Sequence, residues 1–138
     1  MNITVMDAQG GGMGKMLVEA LKRALPQQDI IAVGTNALAT SAMLRAGADQ
    51  GATGENAVVV CAARADLILA PIGMVLADAM LGEVTPAIAA AIGRSGAHKI
   101  LIPVSRCQVT IPGYPRLSMS EAVGAAAEAA AQFVIHHS

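Results

Sequence analysis

The feature that most restricts the fold is an abrupt change of pattern near the start of the chain. Asn2 to Met6, containing Ile3, Thr4 and Val5, reads as a buried strand, and from Met13 the apolar residues fall at helical spacing. Met13, Met16, Leu17, Ala20, Leu21 and Ala24 share one face, with Lys15, Glu19, Lys22 and Arg23 opposite. Between strand and helix stands Asp7-Ala8-Gln9-Gly10-Gly11-Gly12-Met13-Gly14-Lys15, in which four of the five residues from Gly10 to Gly14 are glycine. A strand that turns on glycine into a helix belongs to layered α/β architectures. It also brings unpaired backbone N–H groups and the positive end of the helix dipole to one point, which suits an anion and phosphate above all.

Three phosphate-binding patterns compete for these residues. The dinucleotide fingerprint G-x-G-x-x-G needs a glycine where Gln9 stands, although Gly11 and Gly14 fall correctly. The G-x-x-x-G-x-G variant of short-chain dehydrogenases fits Gly12-Met13-Gly14 but has Ala8 in its first position. A P-loop fits Gly11-Gly12-Met13-Gly14-Lys15, yet Met16 replaces the Ser or Thr whose hydroxyl reaches magnesium. No later apolar strand ends in Asp to serve as a second metal anchor. The expected ligand is therefore a nucleotide, a dinucleotide such as NAD(P), or another phosphorylated small molecule, held by backbone donors without a metal. The competing reading is that the glycines only permit a tight turn and close helix–sheet packing.

With 138 residues the chain has room for one core, so residues 1–138 are expected to form a single domain. It is 54% hydrophobic and 14% charged, against a usual charged share of about 25%. So little charge at a net −1 suggests that some surface is hidden in a homo-oligomer, with a dimer the simplest case. The absence of a basic excess and the two aromatics, Tyr114 and Phe133, argue against nucleic acid as a partner. The most apolar stretch, Leu67 to Ala77, is followed by Asp78 and is too short for a membrane span. The start of the chain lacks the basic and apolar pattern of a signal peptide, and Cys61 and Cys107 form no disulfide framework. Both point to the cytoplasm.

Ile30-Ile31-Ala32-Val33 reads as a second strand that stops at Gly34-Thr35-Asn36. At this point a nicotinamide dinucleotide site usually presents an acid to the adenine ribose, and Thr35 and Asn36 are neutral. Either residue can cap a helix over Ala37 to Ala46, ended by Gly47, and Asn36 can cap and touch a ligand at once. Ala48 to Gly54 reads as a loop. The valines of Glu55 to Cys61 favour a strand, whereas Thr53 as cap, Glu55 in a first turn and the following alanines favour a helix. A helix is expected, because a parallel sheet needs a crossover before the third strand, Asp66 to Ala70.

Pro71-Ile72-Gly73 ends that strand, and Met74 to Met80 is expected to form a short helix or lid, with Met74 to Leu81 at a subunit contact. Thr85 as N-cap and Pro86 at the first position start a helix through Ile88 and Ile92 to Ser95-Gly96. Lys99 to Val104 is a fourth strand whose Pro103 implies an edge or a strand end, and Gln108 to Ile111 can add a short fifth. Ser118-Met119-Ser120-Glu121 has capping-box spacing and opens a helix burying Met119, Val123, Ala126, Ala130 and Phe133. His136-His137-Ser138 reads as a solvated end.

This alternation predicts a Rossmann-like, doubly wound, mostly parallel sheet of four or five strands with helices on both faces. Ligands of such sheets bind beyond the carboxyl ends of the strands. That rule gathers Asp7 to Lys15, Gly34 to Asn36, Pro71 to Gly73 and Ser105 to Cys107 into one pocket, with Asp7, Gln9 to Lys15, Thr35, Asn36, Pro71 and Arg106 as ligand contacts. Asp7, Glu55 and Glu83 are the acids placed near element ends on the pocket side: Asp7 either bonds the turn's backbone or serves the ligand, while a helix start for Glu55 and plain surface for Glu83 are the simpler readings beside a role in the site. Arg106 beside Cys107 would lower a thiol pKa, but a small buried cysteine is the simpler reading there and at Cys61. No catalytic residue is assignable.

The loop Gln9 to Lys15, the block Gly34-Thr35-Asn36-Ala37-Leu38-Ala39-Thr40-Ser41-Ala42-Met43, the block Gly51-Ala52-Thr53-Gly54-Glu55-Asn56-Ala57, and Leu101-Ile102-Pro103 together resemble a family of short bacterial proteins known only as a domain of unknown function. The likeness spans Met1 to about Ile111, and Ala8 departs from the glycine expected of the family there. It implies a self-contained bacterial domain with a Rossmann-like start and transfers no activity.

Overall fold

The computed structural model describes residues 1–103, 109–113 and 116–138. Its strands are β1 (Ile3–Asp7), β2 (Ile30–Gly34), β3 (Gln50–Thr53), β4 (Leu67–Pro71) and β5 (His98–Ile102). They form one sheet in the order β3-β2-β1-β4-β5, with every neighbouring pair parallel. The helices are α1 (Gly12–Ala24), α2 (Ala37–Arg45), α3 (Glu55–Arg64), α4 (Pro86–Arg94) and α5 (Met119–His137). This is the doubly wound α/β arrangement, consistent with a Rossmann-like fold.

β1 is buried along its whole length because helices cover both faces, so it shows no polar alternation. Ile3 and Val5 point to one side, where Leu17 and Leu21 of α1, Met43 of α2 and Val123, Ala126 and Ala130 of α5 close a core. Met6 and Ala8 point to the other, packed with Val58 and Ala62 of α3 and Ile88 and Ile92 of α4. The chain winds outward from β1 through β2 to β3, then returns through α3 to β4 on the other side of β1. The switch in direction therefore falls between β1 and β4. In sheets of this kind ligands bind at such a switch point, beyond the strands' carboxyl ends.

Several expectations need correction. The stretch from Ala48 to Gly54 is not all loop: Gln50–Thr53 pairs with β2 as an edge strand. Thr53 does not cap α3, whose N-cap is Gly54 with no side-chain bond; the Thr53 hydroxyl lies 2.7 Å from that of Thr40. Met74 to Met80 is not a helix, since a 3-10 turn covers Ile72–Val75 and ordinary turns follow. Met74 itself is a core side chain, which removes it from any subunit contact. Val109 to Ile111 is exposed and forms no strand, and Gln108 lies outside the described residues. Met119 faces solvent as the first helical residue of α5, while Val134 takes a buried place. No helix among the described residues is long and apolar enough to cross a membrane.

Candidate functional site

The site grows from the last residue of β1. Asp7 is 4% exposed, and its two carboxylate oxygens accept the N–H of Ala8 at 2.8 Å and of Gly14 at 2.7 Å. The N-cap of α1 is Gly11, which has no side chain to satisfy the helix's first donors, so Asp7 does so from beneath the turn. Burial pushes the Asp7 carboxyl above its ordinary pKa; the bonds from Gly14 and Ala8 act against this, and the nearby Glu83 charge adds to it.

The glycines divide into two kinds. Gly11 sits at φ 73°, and a Cβ there would lie 2.9 Å from the Cα and the carbonyl oxygen of Ala39. At Gly14 a Cβ would lie 2.6 Å from the Met43 sulfur and 2.9 Å from the Asp7 Cβ. These two glycines are demanded by the close approach of α1 to α2 and β1. Gly10 and Gly12 differ: a Cβ at either meets nothing within 4 Å, and neither has a positive φ. Neither packing nor backbone conformation requires glycine there.

The backbone donors divide the same way. The Gly11 N–H bonds Ala8 O at 3.1 Å, Gly14 N–H goes to Asp7, and Lys15 N–H bonds Gly11 O at 2.8 Å. The N–H groups of Gly10, Gly12 and Met13 have no acceptor among the described residues. Open donors therefore coincide with the glycines that face open space. Lys15 is exposed on the first turn of α1, and the one ion pair among the described residues is Lys22 with Asp49, so the Lys15 ammonium has no carboxylate partner among them.

The β2–α2 connection forms the opposite wall. The Asn36 side chain caps α2 by accepting Ala39 N–H at 2.9 Å, and its amide donates to Gln9 O at 2.9 Å. Thr35 N–H bonds Asp7 O at 3.1 Å. A close approach at Gly34, where a Cβ would lie 2.5 Å from the Thr40 hydroxyl, lets α2 start hard against the end of β2.

One acid of the pocket side belongs to this wall against its simpler reading. Glu83, expected on plain surface, reaches in from the connection after β4. Its Oε1 accepts the Gln9 N–H at 2.7 Å, and the Thr35 hydroxyl and Asn36 amide donate to the same oxygen. Burial raises the Glu83 pKa, but the bonds from Thr35, Gln9 and Asn36 outweigh this and hold the carboxyl below its ordinary value. Its place near an element end was readable, but nothing local in sequence marks Glu83 as a partner of Gln9, 74 positions away. The available signal was topological: a residue following β4 falls beside β1 once the sheet order is known.

Asp7, Gln9 to Lys15, Thr35 and Asn36 thus come together at the carboxyl ends of β1 and β2, joined by Glu83. Pro71 is buried at the corresponding end of β4, beside the switch point. Arg106, with Ser105 and Cys107, lies outside the described residues. Glu55 begins α3 as expected and accepts a hydrogen bond from the Thr85 hydroxyl, which ties the starts of α3 and α4 together. Cys61 is half-buried against the α3–α4 core, and burial raises its thiol pKa despite the opposing Arg64 charge. Among the described residues no group of three or more His, Cys, Asp or Glu side chains is placed to hold a metal. A cleft of about 560 Å³ lies at the opposite edge of the sheet, lined by Asp66, His98 and Phe133 among others. It sits at the amino ends of the strands, the edge that parallel sheets do not use for ligands.

Comparison with known proteins places this site in a family without assigning it an activity. No curated protein and no solved structure matches the chain. Residues 2–135 match the family described as Domain of unknown function (DUF3842), well beyond Ile111, where the resemblance read from the sequence stops. The chain belongs to that family.

Proposed function

We propose that this protein binds a nucleotide, a dinucleotide or another phosphorylated small molecule at the β1–α1 loop, with the phosphate held by the N–H groups of Gly10, Gly12 and Met13. One observation carries the reading: these donors have no acceptor among the described residues, and the two glycines among them border open space. A Cβ is absent where an anion would approach the backbone, although the protein itself has no use for that absence. The start of α1 adds its dipole, and Lys15 adds a charge on the first turn. Gly11 and Gly14 support the structural reading of a glycine loop; Gly10 and Gly12 do not.

The test is thermal melting with NAD, NADP, ATP, AMP and FMN. A ligand at a hundred times its dissociation constant stabilises the fold by about 2.7 kcal/mol. One compound or more is expected to raise the melting temperature in parent protein and to lose that effect in Gly12→Val. Silence across the panel would leave the loop a structural turn.

A further inference from the structure

We propose that Glu83 is an internal competitor for the loop: its carboxylate sits in an oxyanion seat made by the Gln9 N–H, the Thr35 hydroxyl and the Asn36 amide, and a phosphorylated ligand takes that seat by displacing it. This rests on the phosphate-binding reading above and adds the means by which the site is kept closed.

Three donors from two connections converge on the single oxygen Oε1. That is the environment of a bound oxyanion, occupied here by a residue of the chain. The seat is continuous with the open donors, because Gln9 immediately precedes Gly10. A phosphate that reaches Gly10, Gly12 and Met13 can place a second oxygen, or a second phosphoryl group, where Oε1 lies. The arriving anion cannot share the site with Glu83 at low cost, since the buried Asp7 carboxylate already stands nearby and a third negative group would be repelled by both.

The segment carrying Glu83 is anchored in the core by the fully buried Val84, while Glu83 itself is part-exposed, so its side chain can swing out on its own. Asp78, Met80 and Leu81 hold φ values of 65°, 57° and 60°, a left-handed conformation that non-glycine residues seldom adopt. Its backbone bonds run largely within itself, as in Asp78 N–H to Val84 O at 2.7 Å and Gly82 N–H to Asp78 O at 3.1 Å. Rotation of the Glu83 side chain would vacate the seat while leaving these bonds and the sheet's ladder untouched. The contrasting possibility is that Glu83 stays in place and its other oxygen, Oε2, receives a hydroxyl of the ligand's ribose.

The two possibilities predict opposite signs in calorimetric titrations with inorganic phosphate and with ADP. Displacement predicts that Glu83→Ala binds both probes at least tenfold more tightly than parent, that Glu83→Gln lies between, and that Thr35→Val in the Glu83→Ala protein reverses much of the gain. Unchanged or weaker binding by folded Glu83→Ala would overturn the proposal, and weaker ADP binding alone would assign Glu83 to the ribose. If Glu83→Ala fails to fold, the isosteric Glu83→Gln decides by the same sign. Parent binding that Gly12→Val abolishes and the Glu83 variants leave unchanged would remove the competitor and keep the phosphate loop. Absence of binding in parent and both Glu83 variants would remove both.

Discussion

The glycines of the loop do separate jobs, and substitution separates them. Gly11→Ala forces a Cβ into a left-handed residue and against the backbone of Ala39, so a loss of at least about 2 kcal/mol is expected. Gly14→Ala pushes on Met43 and Asp7, with a loss of about 1–3 kcal/mol. Gly12→Ala meets open space at an exposed helical position and should leave stability unchanged or raise it by up to about 1 kcal/mol. Urea unfolding of the three variants checks the order; a Gly12→Ala loss matching that of Gly11→Ala would contradict it. The sequence showed the cluster of glycines but not this division, because which glycine touches α2 depends on Ala39 and Met43, whose placement is tertiary. Asp7 was legible as a turn residue for a local reason, its nearness to the donors it binds. Glu83 was legible only as an acid near an element end on the pocket side, since its donors come from connections far away in sequence.

The two carboxylates also titrate in opposite senses. The folded-state pKa of Asp7 is raised, so its contribution to stability falls as pH rises through the interval above the ordinary aspartate value of 3.8. That of Glu83 is lowered, so its contribution is fully present above the ordinary value of 4.5 and is lost as pH falls through the depressed folded value. Glu83→Gln should therefore be less stable than parent near neutrality, and the gap should close in acid; Asp7 is common to both proteins and largely cancels. Denaturant unfolding across that range checks the sign. A gap that widens in acid would mean that Glu83 is not held as an ion.

At the scale of elements, the helix starts were the most readable part of the chain because their signals are local. Thr85 with Pro86 and Ser118 with Glu121 form the caps their spacing predicts, the second with both bonds of the capping box. Asn36 caps α2 and in addition donates to Gln9 O and Glu83, so it joins an element boundary to the site. Asn36→Ala should cost about 1–2 kcal/mol and also loosen the β1–α1 loop, measured as faster amide exchange at Ala39 and Gln9 together. Exchange faster at Ala39 alone would show the cap to be independent of the loop. β3 was unreadable for the opposite reason. Gln50-Gly51-Ala52-Thr53 is a short edge strand with little burial, so it carries no apolar pattern and exists through its pairing with β2. The Thr40 hydroxyl and the packing of Leu44 over Gly51 hold it from the helix side.

For the whole molecule, the alternating pattern was sufficient to predict a doubly wound sheet, and the order β3-β2-β1-β4-β5 adds what the pattern lacks: which two strands flank the switch point. Since β1 and β4 are neighbours, the glycine loop and the segment bearing Glu83 face each other. Self-association remains the proposal that fits the low charge, with the fully exposed Leu81 as its contact rather than the buried Met74. Sedimentation at micromolar concentration is expected to show a dimer that Leu81→Asp dissociates, and a monomeric parent would contradict this. The central claim, that open backbone donors at Gly10, Gly12 and Met13 hold a phosphate, is tested most directly by following backbone amide resonances during titration with inorganic phosphate. The account predicts the largest saturable shifts at those three N–H groups, with a smaller one at Gly14, whose N–H is committed to Asp7. Saturable shifts centred elsewhere, or none at the loop, would contradict it.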